Sequence, residues 1–430
     1  MARASHAIVA ACMLAMLPSR AQSAVSSRGH PEPQAKDLLV EEKIGPDLLS
    51  PERIATLPKP QRAAWLEYMA ASRRLHARDT VAMASELAAE HQASMTKAPY
   101  SAPDFRFGDR GDPWLHSDSA VALAESVLTF QTPSGGWKRT DMSRPRTRGM
   151  SYYSETDTWH YAPTFDNGAT TGQLRLLGAL VTRGSSKRLA SAFERGIHLV
   201  LAAQQPNGCW PQSYPLEGGY HDAVTFNDDV TVLVLKLLDD VATGRIGTVT
   251  ADVRGRARKS AALGVSCLLR AQVRVHGARA VWGQQHDPIT LAPAPARSYE
   301  LAGLAGRESA SILVYLMTIE HPDTAVVAAV HGAAAWFRSH AITGYRYDGA
   351  NGLRVDAGAG PIWARVTEIS TDRPIFANRD GVKLYDWDKL VDRRSGYGWY
   401  GVEPAAALKT YDAWAQAHPA PAPPAGEQKS

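Results

Sequence analysis

Gln131-Thr-Pro-Ser-Gly-Gly-Trp137 and Gln204-Gln-Pro-Asn-Gly-Cys-Trp210 are two versions of one turn, and their recurrence decides the reading of the fold. Each closes an apolar run at helical spacing, the first from Ser117 and the second from Ser186. A third run, from about Ala251, ends at Gln272 and leads to Trp282. The three tryptophans stand 73 and then 72 residues apart. Each is followed by a loop and a second apolar helix. These open near Asp166, Asn227 and Arg307, with bodies at Leu174 to Val181, Val230 to Leu238 and Ile312 to Met317. Asp and Asn favour helix N-caps, which gives two of these starts a physical cause. A helix–loop–helix unit of this size cannot hide its apolar face alone, so three units close on each other. The expectation is an all-α fold, an (α/α)3 toroid with long loops gathered at one end; an open helical array is the alternative.

Working outward, Ala63 to Glu90 reads as a further helix, with Trp65, Tyr68 and Met69 at helical spacing. Residues 25–60 read as an N-terminal arm, residues 61–417 as one catalytic domain with its repeat core at about 110–400, and residues 418–430, rich in Pro and Ala, as a disordered tail. Residues 1–24 have the layout of a signal peptide: Arg3, an apolar run from Ala7 to Leu17, then small residues at Ala21, Ser23 and Ala24. That predicts a secreted or periplasmic protein, with no later segment long and apolar enough to span a membrane.

Losing 1–24 takes the net charge from +4 to +2, since Arg3 and Arg20 leave and no acid does. So mild a balance gives no case for nucleic acid. A polyanion would need a local basic cleft. Cys209 and Cys267 remain; they could pair in an oxidising compartment, and buried free thiols are the simpler expectation.

Four clusters carry chemistry: Thr164 to Thr171, Tyr220 to Asp229, Trp282 to Glu300, and Arg373 to Gly381. Asp166 and Asp228 stand at equivalent helix starts in neighbouring repeats. Two carboxylates converging there suit a hard, oxygen-seeking cation such as Ca²⁺; plain capping is the competing reading. Arg297 lies in a Pro- and Ala-rich loop that could present its planar fork to a carboxylate. The bland reading pairs it with Glu300 or Asp287. Arg379, beside Asp380, carries the same ambiguity, and Lys138 and Arg139 add charge after Trp137. Neither His286 nor His221 has a second histidine at zinc-site spacing.

QTPSGGW, TFDNGATT, QPNGCWPQSYP, HDAVTFNDD, QHDPITLAPAPARSYE, RPIFANRDG and GYGWY run in order from Gln131 to Tyr400. On these stretches the chain resembles the family 10 polysaccharide lyases, which are pectate lyases. The resemblance implies the (α/α)3 toroid and Ca²⁺-dependent β-elimination of α-1,4-linked polygalacturonate (pectate) to 4,5-unsaturated oligogalacturonates by a monomer. It implies that Asp166 and Asp228 bind calcium, that Arg297 is the catalytic base, and that Lys138, Asn167 and Arg379 contact substrate. Cys209 stands where the family usually has a second Gly, and the basic contact after Trp137 is either Lys138 or Arg139.

An arginine base is awkward: emptying a guanidinium of reference pKa 12.5 at pH 7 costs about 7.5 kcal/mol. Nearby cations would have to lower that cost, and an alkaline optimum is expected. A glycoside hydrolase using Asp166, Asp228 and Glu308 as acid and base is the alternative, and a non-catalytic pectin-binding protein a third.

Overall fold

The structure, a computed structural model, describes residues 47–99, 111–154, 163–184 and 186–420. The signal peptide read over 1–24, most of the arm read over 25–60 and the tail beyond residue 420 lie outside these residues.

Eleven α-helices are present among the described residues: α1 Pro51–Ala55, α2 Lys59–Ala89, α3 Gly111–Trp114, α4 Asp118–Thr129, α5 Thr171–Thr182, α6 Lys187–Ala202, α7 Val230–Thr243, α8 Ala251–Ala271, α9 Gly306–Met317, α10 Thr324–Ser339 and α11 Glu403–Ala417. From α4 onward they alternate between two rows. One row runs α4, α6, α8, α10, each helix packed on the next; the other runs α5, α7, α9, α11 in the same way. The second row is the more apolar. In α7, Val230, Val232, Val234, Leu235, Leu237 and Leu238 are all buried, as required of a helix covered on nearly every side.

The rows differ at their starts. Ser117, Ser186, Thr250 and Asp323 cap α4, α6, α8 and α10 by accepting the backbone N–H three residues on. Helices α5, α7, α9 and α11 begin with no side-chain cap. The turns ahead of α5 and α7 are therefore not spent on closing a helix end, and they carry the candidate site.

The recurring tryptophans are buried pins. The indole N–H of Trp137 donates to the Val127 carbonyl (2.8 Å), Trp210 to Val200 (2.9 Å) and Trp282 to Leu268 (2.7 Å), each stitching a turn to the helix before it. The recurring glutamines reach forward instead: Gln131 Nε2 donates to Ala192 O, Gln204 to Ser260 O and Gln272 to Ala329 O. Each therefore ties its own unit to the first helix of the next, so the repeat motif also fixes how units stack. A fourth unit obeys the tryptophan rule: Trp363 donates to Phe337 O at 2.8 Å, between α10 and α11.

The all-α (α/α)3 expectation is overturned. About 49% of the described residues are helix and 11% strand, and they contain seven small sheets besides four helix–loop–helix units. The physical reason lies in the loops. They are long and partly buried, so their backbone groups need partners. Pairs of two-residue strands supply them: Val224–Thr225 with Gln285–His286, which in turn pairs with Pro293–Ala294, and Leu304–Ala305 with Val366–Thr367. Strands this short leave no alternation in the sequence.

Two further elements brace the loop end. Helix α2, 31 residues long, buries Trp65, Tyr68 and Asp79; the Ser134 hydroxyl donates to the Asp79 carboxylate at 2.6 Å. Cys209 and Cys267 are joined by a disulfide across 58 residues, so the free-thiol expectation is corrected. The bond fixes the second turn to α8, beside Gly208, whose φ of +95° and 2.5 Å clearance to the Leu263 carbonyl oxygen exclude a side chain. A loop of that length is stabilised by about 4 kcal/mol in the chain-entropy account.

Candidate active site

Asp166 and Asp228 each lie in a short 3-10 turn ahead of an uncapped helix: Asp166–Gly168 before α5, and Asn227–Asp229 before α7. The two turns touch. Each places its second residue at φ 49°, Asn167 in one and Asp228 in the other. Asn and Asp tolerate this left-handed region better than other side chains. The turns are thus equivalent, but the aspartates are not: by position Asp166 matches Asn227, and Asn167 matches Asp228. Neither aspartate caps a helix with its side chain, which removes the competing reading.

Within each turn the asparagine serves its neighbour. Asn167 Nδ2 donates to Asp166 Oδ2 at 2.8 Å, and Asn227 Nδ2 to Asp228 Oδ2 at 2.7 Å. Each carboxylate also faces one guanidinium, Asp166 from Arg139 at 3.7 Å and Asp228 from Arg307 at 3.8 Å. Burial, and next the charge of Asp228, push the pKa of Asp166 up to about 6, against the pull of Arg139, Asn167 and Arg297. Two carboxylates held close enough to raise one of them, and fixed by amides, offer the oxygen donors that a hard dication takes.

Arg297 joins this group, close enough for its charge to act on Asp166. Its guanidinium is one-third exposed and bound side-on by Glu300: Nε to Oε2 at 2.9 Å and Nη2 to Oε1 at 2.6 Å. Asp287 is engaged elsewhere, by Arg53. Burial lowers the pKa of Arg297, but the charge and hydrogen bonds of Glu300, with Tyr299 and Tyr220 behind, outweigh it and raise the group well above the usual range. The expectation that its surroundings would lower this pKa is therefore opposed by Glu300.

Lys138 is buried and faces Glu217 at 3.3 Å, whereas Arg139 faces Asp166. The residue nearer the carboxylate pair is therefore Arg139. Arg379 lies on the turn after Phe376–Ala377, which leans on the Ser298 backbone. Its guanidinium lies 5.9 Å from the centroid of the Tyr299 ring, Arg297 lies 4.9 Å from it and Arg393 4.1 Å. One buried tyrosine thus gathers three guanidinium groups, of which Arg297 acts on Asp166.

The family described as pectic acid lyase matches residues 131–408. The chain belongs to the pectic acid lyase family. Two solved structures of the family 10 polysaccharide lyase from Cellvibrio cellulosa are similar to it. One, a mutant in complex with trigalacturonic acid, is 30% identical, with a TM-score of 0.62 over 71% of this chain and 96% of that one. The other is 31% identical, with a TM-score of 0.62 over 71% and 95%. No curated protein matches the chain. The enzyme is a pectate lyase, and the hydrolase and pectin-binding alternatives are set aside. Glu308, which the hydrolase reading needs, is fully buried and paired with Arg365 at 3.0 Å.

Sequence reasoning missed several members of this candidate site. Arg365 braces Asn227 (Nη2 to Oδ1, 3.1 Å) as well as Glu308. It arrives through the short sheet joining Leu304–Ala305 to Val366–Thr367, and nothing near it in sequence marks it. Arg307 stands at a helix start that the repeat did reveal. The Asn neighbours of both aspartates were visible within TFDNGATT and TFNDD.

Proposed function

We propose that this pectate lyase acts on α-1,4-linked polygalacturonate by calcium-assisted β-elimination, releasing 4,5-unsaturated oligogalacturonates. The observation that carries the reading is the meeting of Asp166 and Asp228 from adjacent turns, with Arg297 in charge contact and two more arginines behind it. The trigalacturonic acid complex of the Cellvibrio cellulosa neighbour supports the substrate class.

Asp166 and Asp228 would hold Ca²⁺, with substrate and water supplying the remaining oxygens. Bound there, calcium supplies Lewis-acid stabilisation of negative charge on the C6 carboxylate. Arg297, in the neutral form that alkaline pH favours, takes the proton from C5, adjacent to that carboxylate, and the C4–oxygen bond breaks to leave a double bond between C4 and C5. Arg379 grips a neighbouring uronate carboxylate, where a planar fork matches two oxygens. Asn167 contacts substrate from the first turn, and of the two basic residues after Trp137 the contact falls to Arg139, which faces Asp166, and not to Lys138, which is buried against Glu217. Water protonates the departing oxygen. The paired cysteines suit an oxidising compartment, and no helix of the described residues is long and apolar enough to cross a membrane. A secreted or periplasmic monomer, led out by residues 1–24, follows from this reading.

The test is purified protein on polygalacturonate, with calcium and with excess chelator, followed by the ultraviolet absorbance of the conjugated product. Absorbance that rises only with calcium supports the reading. Chain cleavage without absorbance would replace it with hydrolysis.

A further inference from the structure

Arg297 is held at more points than a surface arginine needs. Its Nε and Nη2 both donate to Glu300, its backbone N–H donates to Glu300 Oε2 at 3.3 Å, and the Glu300 N–H returns to the Arg297 carbonyl at 2.7 Å. Glu300 is itself nearly inaccessible to solvent. It cannot swing away without leaving a buried charge unpaired. The side-on grip uses one edge of the planar guanidinium, the edge shared by Nε and Nη2. Nη1 lies on the opposite edge.

The geometry points to Glu300 as a positioning residue that fixes the guanidinium plane of Arg297 and leaves Nη1 as the nitrogen that meets the substrate C5 proton. This rests on the reading of Arg297 as the proton acceptor. The grip has two opposed effects. It orients the reacting nitrogen, and orientation is worth large factors in rate. It also favours the charged guanidinium, which is the wrong form for a base. The other groups facing Arg297 are Tyr299 from its own loop, Tyr220 from Gly219–Asp222 and Asp166 from the first turn. Arg365 and Tyr397 lie behind Glu300, and Arg379 and Arg393 share the Tyr299 ring. The paired hydrogen bonds to the guanidinium edge come from Glu300, so its charge is the one to remove.

The experiment is a set of pH–rate profiles on polygalacturonate at saturating calcium, for the wild type, Glu300→Gln, Glu300→Asp and Arg297→Ala. Circular dichroism and trigalacturonic acid binding serve as folding checks. Glu300→Gln keeps the shape and drops the charge. Its rising limb in kcat/KM should move about 1–3 pH units toward acid, while its maximal kcat falls about tenfold or more. Glu300→Asp keeps the charge but retracts the grip. Its limb should stay in place while kcat falls and KM holds, and this result decides the matter alone should Glu300→Gln not fold. A Glu300→Gln profile parallel to or coincident with the wild type, or an undiminished kcat in Glu300→Asp, overturns the positioning role. An active Arg297→Ala instead overturns the base assignment. Loss in Arg297→Ala with unmoved Glu300 profiles refutes the positioning role alone.

Discussion

The two turns that carry the aspartates are built alike and supported differently. Both are 3-10 turns with a left-handed second residue, an Asn amide on the carboxylate and an arginine 3.7 to 3.8 Å away. In the first turn Asp precedes Asn; in the second Asn precedes Asp. Swapping the order lets one backbone shape offer carboxylates from two positions. The support then diverges. Asn227 is buried, tied by its backbone N–H to the Gln284 carbonyl and by its side chain to Arg365. Asn167 is only half-buried, and its turn rests on Phe165 N–H bonded to the Gln212 carbonyl. A repeat can therefore duplicate a site's geometry while letting only one copy be locked by the rest of the molecule.

The comparison breaks most sharply at the carboxylates. Asp166→Ala and Asp228→Ala should each cut the rate on polygalacturonate by about 100-fold or more at limiting calcium, since even outer partners of metal ligands are worth 10–100-fold. Both should keep the wild-type circular dichroism. If one variant kept its rate and its calcium response, the turns would not be partners.

The next effect concerns the scaffold of the second turn. His286 is fully buried on the strand paired with Val224, its Nε2 accepting the Gly283 N–H at 2.8 Å and its Nδ1 at 2.7 Å from the Leu291 carbonyl. Burial lowers its pKa from 6.5 to about 4, despite the Leu291 bond. The stability that this neutral imidazole supports is whole above pH 6.5. It drains as pH falls toward 4, by about 3 kcal/mol. Asp222 works the other way: its pKa is raised to about 6, mainly by burial, so it favours the fold as pH drops through the same range. The clean readout is therefore the difference in Tm against pH between the wild type and His286→Gln. The variant should lack the His286 share of the acid loss; identical slopes would show that His286 titrates normally.

The smallest effect sharpens the contrast in support. Asn227→Ala should weaken calcium response about 30-fold and lower stability by about 1–3 kcal/mol, because Arg365 loses a buried partner. Asn167→Ala should weaken calcium response about tenfold and leave stability nearly unchanged. Calcium-dependent rates and denaturant midpoints check both; equal effects would mean that the two turns are held equally.

How far the sequence reveals this can be traced residue by residue. Three tryptophans at near-equal spacing exposed three helical units. The fourth hid because Trp363 follows Trp282 by 81 residues, across loops without the Gln-Pro-Gly signature. The short sheets hid because two residues cannot show a period. Asp166, Asp228 and Arg297 were legible from their motifs, and the structure brings all three together. Glu300 stood in view as a possible partner, but its grip is a matter of geometry. Arg365 and Arg393 reach the site through loop pairing and ring stacking that no local pattern encodes. The bond between Cys209 and Cys267 depends on α8 lying against the second turn, which spacing does not specify.

The most direct test is anomalous diffraction from crystals of Arg297→Ala grown with Ca²⁺ and trigalacturonic acid, where the lost base preserves the substrate. The account predicts one ion within about 2.3–2.6 Å of oxygens from both Asp166 and Asp228, with a uronate carboxylate completing its shell. An ion bound to one turn alone, or seated away from both, would contradict it.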